Sequence, residues 1–428
     1  MENNHSAAQQ PFWLQPASRQ VWIQAIGRAL YQAGYGLIQF YIPLVFVNKV
    51  GLSTTAVGLG IGSGALAGLV GHLLGGYLAD SRTYGRKRAL LFSSGLSILA
   101  TLVLGLAQNL PMLVTANLIL GLSAGCYWTA ADAAVIDATT IEQRHKAFAI
   151  LSLADSLGGG IGVLGGGVLL TLVNQAQMLF LDTSLVFLVF LLLVQAAVTE
   201  TRQSDLEETD TLQGFVVALQ DQSLRLFILG NILFTTYIAL IGSTLPLYFT
   251  NVISAAEAGT SPLSVANLFT WCYIGFGAVL QIPIVQVLGS LLRVQVLMMA
   301  MVLWGVGFCL VWATGMVVSI QSLCMIAALC VLSVATAVYK PFAPTIVSEL
   351  APESLRGVYI AISYQCWSIG YFVGPILGGW AMDQPRSVAH NSWLAAAMTT
   401  VGGLVILHFL SQSRLSNRST LIAEDTAT

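Results

Sequence analysis

Three ionisable residues stand where the chain is otherwise apolar: Asp132 in TAADAAV, Asp155 in LADSLGG and Lys340 in AVYKPFA. A charge at the centre of a bilayer costs roughly 2.5–3.5 kcal/mol on insertion scales, so such residues point to a function. Asp155 lies nine residues after Lys146, and Lys340 nine residues before Glu349. At about 1.5 Å per residue, both sit roughly 13 Å inside the ends of their segments. Lys340 is expected to pair with Asp155 or Asp132 while the cytoplasmic side is closed and to part from it when that side opens. A proton on the carboxylate would weaken the pair, coupling protons to conformation. Two other arrangements fit the same residues: a permanent ion pair that specifies helix packing, and unpaired side chains in a water-filled cavity.

Polar residues at helical spacing surround these charges. Arg28, Tyr31, Gln32, Tyr35 and Gln39 follow one another in steps that keep them on one helical face. Asn117, Gly121, Trp128 and Asp132 form a second stripe, with Tyr127 beside it, and Ser333, Thr336 and Lys340 a third, beside Tyr339. Asn231 and Thr235 begin a fourth. One aqueous cavity accounts for all four stripes, and hydrogen bonding between helices is the alternative. The mixture of aromatic and polar groups suits a moderately amphipathic organic molecule. Arg28, close to the start of its segment, could instead snorkel to the headgroups.

These residues must be positioned by helices in lipid. The 428 residues are 56% hydrophobic and only 8% charged, against about 25% charged in soluble domains. Segments of roughly 20 apolar residues can cross the hydrocarbon. The sequence predicts twelve, at about 21–47, 55–79, 88–108, 110–137, 146–173, 177–199, 223–250, 264–290, 294–316, 318–346, 356–382 and 391–411. Arg19, Arg82, Arg86, Lys87, Arg88, Arg144, Lys146, Arg202, Arg225, Arg293, Arg356, Arg414 and Arg418 fall in loops and tails on one side, and only Lys49 and Arg386 on the other. The basic side is expected to be cytoplasmic, with both termini there. The six cysteines have neither zinc spacing nor a disulfide framework. His72 stands alone and reads as a packed side chain.

The chain repeats itself. Gly158, Gly162, Gly166 and Gly167 recur 212 residues later as Gly370, Gly374, Gly378 and Gly379, the second copy carrying Pro375. Small residues every fourth position let helices approach backbone to backbone. Tyr127 maps to Tyr339, Asp137 to Glu349 and Arg144 to Arg356, while Pro43 maps to Pro246 at an offset of 203. The halves are therefore parallel repeats of six helices, an arrangement typical of transporters.

With these motifs the chain resembles the major facilitator superfamily over residues 20–412. GGYLADSRTYGRKR between the second and third segments is similar to the family's signature loop through Gly76, Leu78, Ala79, Asp80, Gly85, Arg86 and Lys87, with two extra residues. The glycine pattern resembles the fifth-helix motif of the family's antiporters, with Val163 in place of the proline in the first copy. The antiporters' fourth-helix arginine corresponds to Asn117. The resemblance implies two pseudo-symmetric six-helix bundles in an all-α membrane protein of twelve transmembrane helices. It implies that Asp80 caps the start of the eleventh helix near residues 354–356, and that Arg86 pairs with Asp137. With Arg82, these would form a gate on the cytoplasmic side, of which Arg293, Glu349 and Arg356 are the remnant in the second half.

The expected organisation is a cytoplasmic tail (1–20), a bundle (21–199), a linker (200–222), a second bundle (223–411) and a second cytoplasmic tail (412–428). The expected function is export of small organic molecules by alternating access, coupled to protons. An importer of a sugar or organic acid is the alternative; a receptor or an enzyme lacks supporting motifs. No cofactor, metal or nucleic acid is expected. The partners are a small-molecule substrate, protons and the lipid of the cytoplasmic membrane, with one chain sufficient for function.

Overall fold

Among the described residues, twelve helical segments are long and apolar enough to cross a bilayer. A computed structural model describes residues 19–81, 83–172, 176–200, 211–253, 262–316, 320–352 and 355–425. The first bundle comprises α1 (Arg19–Asn48), α2 (Thr54–Asp80), α3 (Gly85–Leu106), α4 (Leu110–Asp137), α5 (Ile141–Leu172) and α6 (Met178–Ala197). A short α7 (Thr211–Gln220) precedes the second bundle, which opens with α8 (Gln222–Tyr248). The eighth span is broken into α9 (Pro262–Leu268), a π-helical stretch (Phe269–Gly275) and α10 (Phe276–Leu288). The bundle is completed by α11 (Arg293–Ala313), α12 (Gln321–Leu350), α13 (Arg356–Met382) and α14 (Arg386–Asp425).

Local chemistry sets the ends of these helices. Ser53 accepts from the Ala56 N–H at the start of α2, and Asn109 from the Met112 N–H at the start of α4. Asp221 accepts from the Ser223 N–H at the start of α8 and also from the Tyr359 hydroxyl of α13. Each cap supplies an acceptor to the N–H groups that a first helical turn leaves free. Gly51 and Gly85 adopt positive φ of 81° and 76° at two of the turns, a conformation that costs glycine nothing.

Each bundle is held by its own aromatic core, and the cores repeat. Tyr31 of α1 stacks on Tyr127 of α4 with ring centroids 3.5 Å apart. At the offsets found in the sequence, their counterparts are Phe234 of α8 and Tyr339 of α12, whose rings lie 4.8 Å apart.

Four features depart from the sequence reading. The π-helical stretch breaks the eighth span. The expected linker contains α7, whose Val216, Val217 and Leu219 are exposed and whose Ala218 is buried. Helix α5 begins at Ile141, ahead of the expected 146. Helix α14 runs on to Asp425 through the stretch expected as a tail. Residues 1–18 of the expected amino-terminal tail, 201–210 of the linker, 426–428 and Arg82 lie outside the described residues.

The candidate coupling site and cleft

Arg28 of α1 holds both intramembrane carboxylates of its bundle. Its Nη1 donates to Asp132 Oδ1 of α4 at 2.6 Å, and its Nε to Asp155 Oδ1 and Oδ2 of α5 at 2.9 and 3.1 Å. The guanidinium lies 4.6 Å from the centroid of the Trp128 ring, adding a cation–π contact. The arginine side chain is 10% exposed, whereas Asp132 and Asp155 keep 27% and 24%. Three helices thus converge on one cation, and the two anions stay partly exposed. The triad carries one negative charge more than positive when both carboxylates are ionised.

Lys340 of α12 does not join this triad. Its side chain is exposed although it lies well inside the span, and among the described residues it forms no ion pair within 4.0 Å. In this conformation Arg28, not Lys340, binds Asp155 and Asp132; the pair with Lys340 was expected only while the cytoplasmic side is closed.

The expected cavity residues separate into two groups. Gln32, Tyr35, Gln39 and Trp128 are partly exposed. Asn117, Asn231, Thr235 and Tyr339 are buried in interhelical contacts. Asn117 bonds the Leu113 carbonyl within α4, and its own backbone carbonyl crowds Gly64 of α2. Asn231 accepts from the Tyr339 hydroxyl at 2.6 Å, and Thr235 donates to the Cys366 carbonyl of α13. Thr336 meets the Tyr273 hydroxyl at 3.1 Å, and Ser333 donates to the Tyr273 carbonyl. Tyr273 belongs to the π-helical stretch, where widened turns free carbonyls from the helical ladder.

The loops rich in arginine and lysine mark one end of the molecule, here called the basic end; the opposite end is the far end. At the basic end, Arg86 bridges Asp80 (2.5 Å) and Asp137 (3.0 Å), tying the ends of α2 and α4 to the start of α3. Glu200 accepts from the Arg86 and Lys87 N–H groups and so caps α3. A Cβ at Gly85 would collide with the Glu200 carboxylate. Asp80 is held within its own bundle here; residues 353 and 354, and the side chain of Arg356, lie outside the description. In the other half Arg293 and Glu349 approach to 3.7 Å.

Both glycine motifs do the same work. Gly158 and Gly162 press α5 against the Ala29 and Ala33 carbonyls of α1, with Gly166 against Tyr41. Gly370, Gly374 and Gly378 press α13 against Thr235, Thr236 with Ala239, and Thr244 of α8. The fourth glycine of each copy faces the other bundle: Gly167 meets Leu263 of α9, and Gly379 meets the Thr54 carbonyl of α2. The Pro375 carbonyl meets Gly58 of α2. The far end is further closed by hydrogen bonds of Asn48 with Asn251, and of Thr54 and Thr55 with Asp383. Sequence reasoning missed Asp383, whose partners include backbone N–H groups that no residue type advertises.

Two parallel six-helix repeats, hydrogen-bonded to each other at one end, are the architecture of a membrane transporter. The Major Facilitator Superfamily model matches residues 25–255 and 227–425, and the chain belongs to that superfamily. It is 22% identical over 369 residues to the uncharacterized MFS-type transporter YttB of Bacillus subtilis (strain 168), covering 85% of this chain and 89% of YttB. It is 24% identical over 403 residues to the multidrug resistance protein MdtH of Escherichia coli (strain K12 / DH10B), covering 92% and 94%. Among solved structures, the nucleoside transporter NupG superposes with a TM-score of 0.75 at 12% identity, over 92% of this chain and 99% of NupG. A D-xylose–proton symporter does so with 0.74 at 13% identity, over 90% and 96%. The protein is a multi-pass integral protein of the cytoplasmic membrane.

Proposed function

We propose that this protein exports small amphipathic organic molecules in exchange for protons, and that the Arg28–Asp132–Asp155 triad is the coupling element. The observation that carries this reading is that one buried guanidinium serves two carboxylates, each of which stays partly exposed. When alternating access seals this site from water, the excess negative charge must be compensated. A proton, a cationic substrate and the Lys340 ammonium each compensate it. A proton taken up by an aspartate then excludes a cationic substrate, and the converse, which is the condition for exchange. Tyr35, Trp128 and the neighbouring aromatics supply apolar contact for such a substrate. The curated relatives named multidrug resistance protein MdtH, though only 24% identical, favour efflux.

The test is transport in proteoliposomes of a fluorescent amphipathic cation under an imposed pH gradient. Wild-type protein is expected to move dye and protons in opposite directions. Asp155→Asn is expected to retain dye-for-dye exchange while losing accumulation driven by the gradient. Full gradient-driven accumulation in both Asp155→Asn and Asp132→Asn would overturn the reading.

A second reading, import of a sugar or organic acid with protons, is favoured by the exposed ammonium of Lys340. It requires substrate and protons to move in the same direction, and Lys340→Ala to lose an anionic substrate.

A further inference from the structure

Helices α2 and α13 pack together across the two bundles, and an aspartate stands at the end of each: Asp80 is the last residue of α2, and Asp383 follows the last residue of α13. Asp383 spans the bundles. Its Oδ1 accepts from the Thr54 N–H at 2.8 Å, and its Oδ2 from the Thr55 N–H at 2.7 Å and the Thr55 hydroxyl at 2.5 Å. These two N–H groups belong to the first turn of α2, which has no intrahelical acceptors for them. The residue is out of place for its own helix, because a carboxylate at a helix C-terminus meets the negative end of the dipole. It is well placed for α2, whose positive end it faces. Gly379, one turn earlier, allows the approach, since a Cβ there would strike the Thr54 carbonyl.

We propose that Asp383 is the latch that holds the far end of the transporter shut. Every acceptor interaction of the latch crosses from one bundle to the other, so it contributes only while the far ends are together. Opening the far end strands the carboxylate beside its own helix terminus and leaves the first turn of α2 uncapped. Asp80 takes no part in this conformation, being committed to Arg86. The inference concerns gating and stands whatever the substrate or the coupling ion.

The test measures accessibility from each end. A cysteine replacing Gln39, on the far half of the α1 stripe, reports far-end opening to a membrane-impermeant maleimide. A cysteine replacing Pro344, exposed one turn beyond Lys340, reports the basic end. The full-length parent with its six native cysteines gives the background rate. Asp383→Ala and Asp383→Asn are expected to raise far-end labelling about tenfold, as loss of charge-assisted hydrogen bonds would. Basic-end labelling is expected to fall in the same variants, because the two openings exclude each other. Thr55→Val, which removes the hydroxyl and keeps the N–H, should give a smaller change in the same sense. A loosened or misfolded protein would raise labelling at both ends, and that result would overturn the proposal. So would unchanged far-end labelling in both Asp383 variants while the amides of Thr54 and Thr55 exchange faster with deuterium.

Discussion

Asn48 and Asn251 exchange two hydrogen bonds, each amide nitrogen donating to the other's oxygen, at 3.1 and 2.7 Å. The residues are 203 positions apart, the same offset that relates Pro43 to Pro246. They are therefore equivalent residues of the two repeats, and the pseudo-twofold axis runs between their side chains. A reciprocal pair on that axis is the simplest bridge a duplicated chain can build between its halves.

Because the pair is reciprocal, removing either side chain removes both bonds. Asn48→Ala and Asn251→Ala should each weaken far-end closure by about 1 kcal/mol, the ordinary value for partly exposed hydrogen bonds. The double variant should be no weaker than either single one, a coupling as large as the single effects. Far-end cysteine labelling measures this. Additive effects would mean that each amide acts through a different partner.

The Arg28 triad makes a prediction about stability. Arg28→Ala leaves two carboxylates without their cation, and the cost for a buried pair is about 3–5 kcal/mol, reduced here because both acids are partly exposed. The melting temperature in detergent should fall by several degrees. Adding Asp155→Asn to Arg28→Ala should recover part of the loss by removing one stranded charge. No recovery would mean that Arg28 stabilises through its packing on Trp128.

Much of the fold was legible from hydropathy, because lipid imposes length and composition on every span. The glycine repeat was legible because backbone contact between helices admits little else. The triad was not. Asp132 and Asp155 were read against Lys340, since pairing depends on how α1, α4 and α5 are rotated about their axes. A depth signal did exist: Arg28 follows Arg19 by nine residues, as Asp155 follows Lys146. Asn231 and Thr235 read as cavity residues because a polar group that bonds a neighbouring helix has the same spacing as one that faces water. The break in the eighth span had no signature, since a π-helical stretch changes neither hydropathy nor composition.

The glycines of the first motif should not be equivalent. A Cβ at Gly162 would run into the Ala33 carbonyl, which cannot move without separating α5 from α1. Gly162→Ala should cost about 1–3 kcal/mol, the usual range for overpacking. At Gly159 and Gly165, in the same sequence run, a Cβ meets nothing within 4 Å. Alanine there should be neutral or slightly stabilising, given its better helix propensity. Thermal denaturation of the three variants in one detergent separates the cases.

The far end and the triad should also differ in their response to pH. Asp383 lies outside the spans. Burial alone would raise its pKa, but the bonds from Thr55 and Thr54 outweigh burial and hold it below the ordinary carboxylate value. A lowered pKa in the latched state means that the latch is fully present above the unlatched pKa of about 3.9, and is lost as pH falls through the latched value. Among the described residues, the other charged or histidine side chains toward this end are Lys49, Asp182, Arg386 and His390. None forms an ion pair with Asp383 among the described residues. His390 alone has its ordinary pKa within the physiological range; it is bonded to Tyr248 at 2.8 Å and stacked on Trp312. Far-end labelling should therefore be flat between pH 8 and 5, values chosen to bracket the ordinary histidine range, and should rise only below about pH 4. Asp383→Asn should abolish the acidic rise. Transport that changes between pH 8 and 5 while far-end closure does not would place the proton's action at the triad. A latch that loosened across that interval, and did so equally in Asp383→Asn, would move attention to His390.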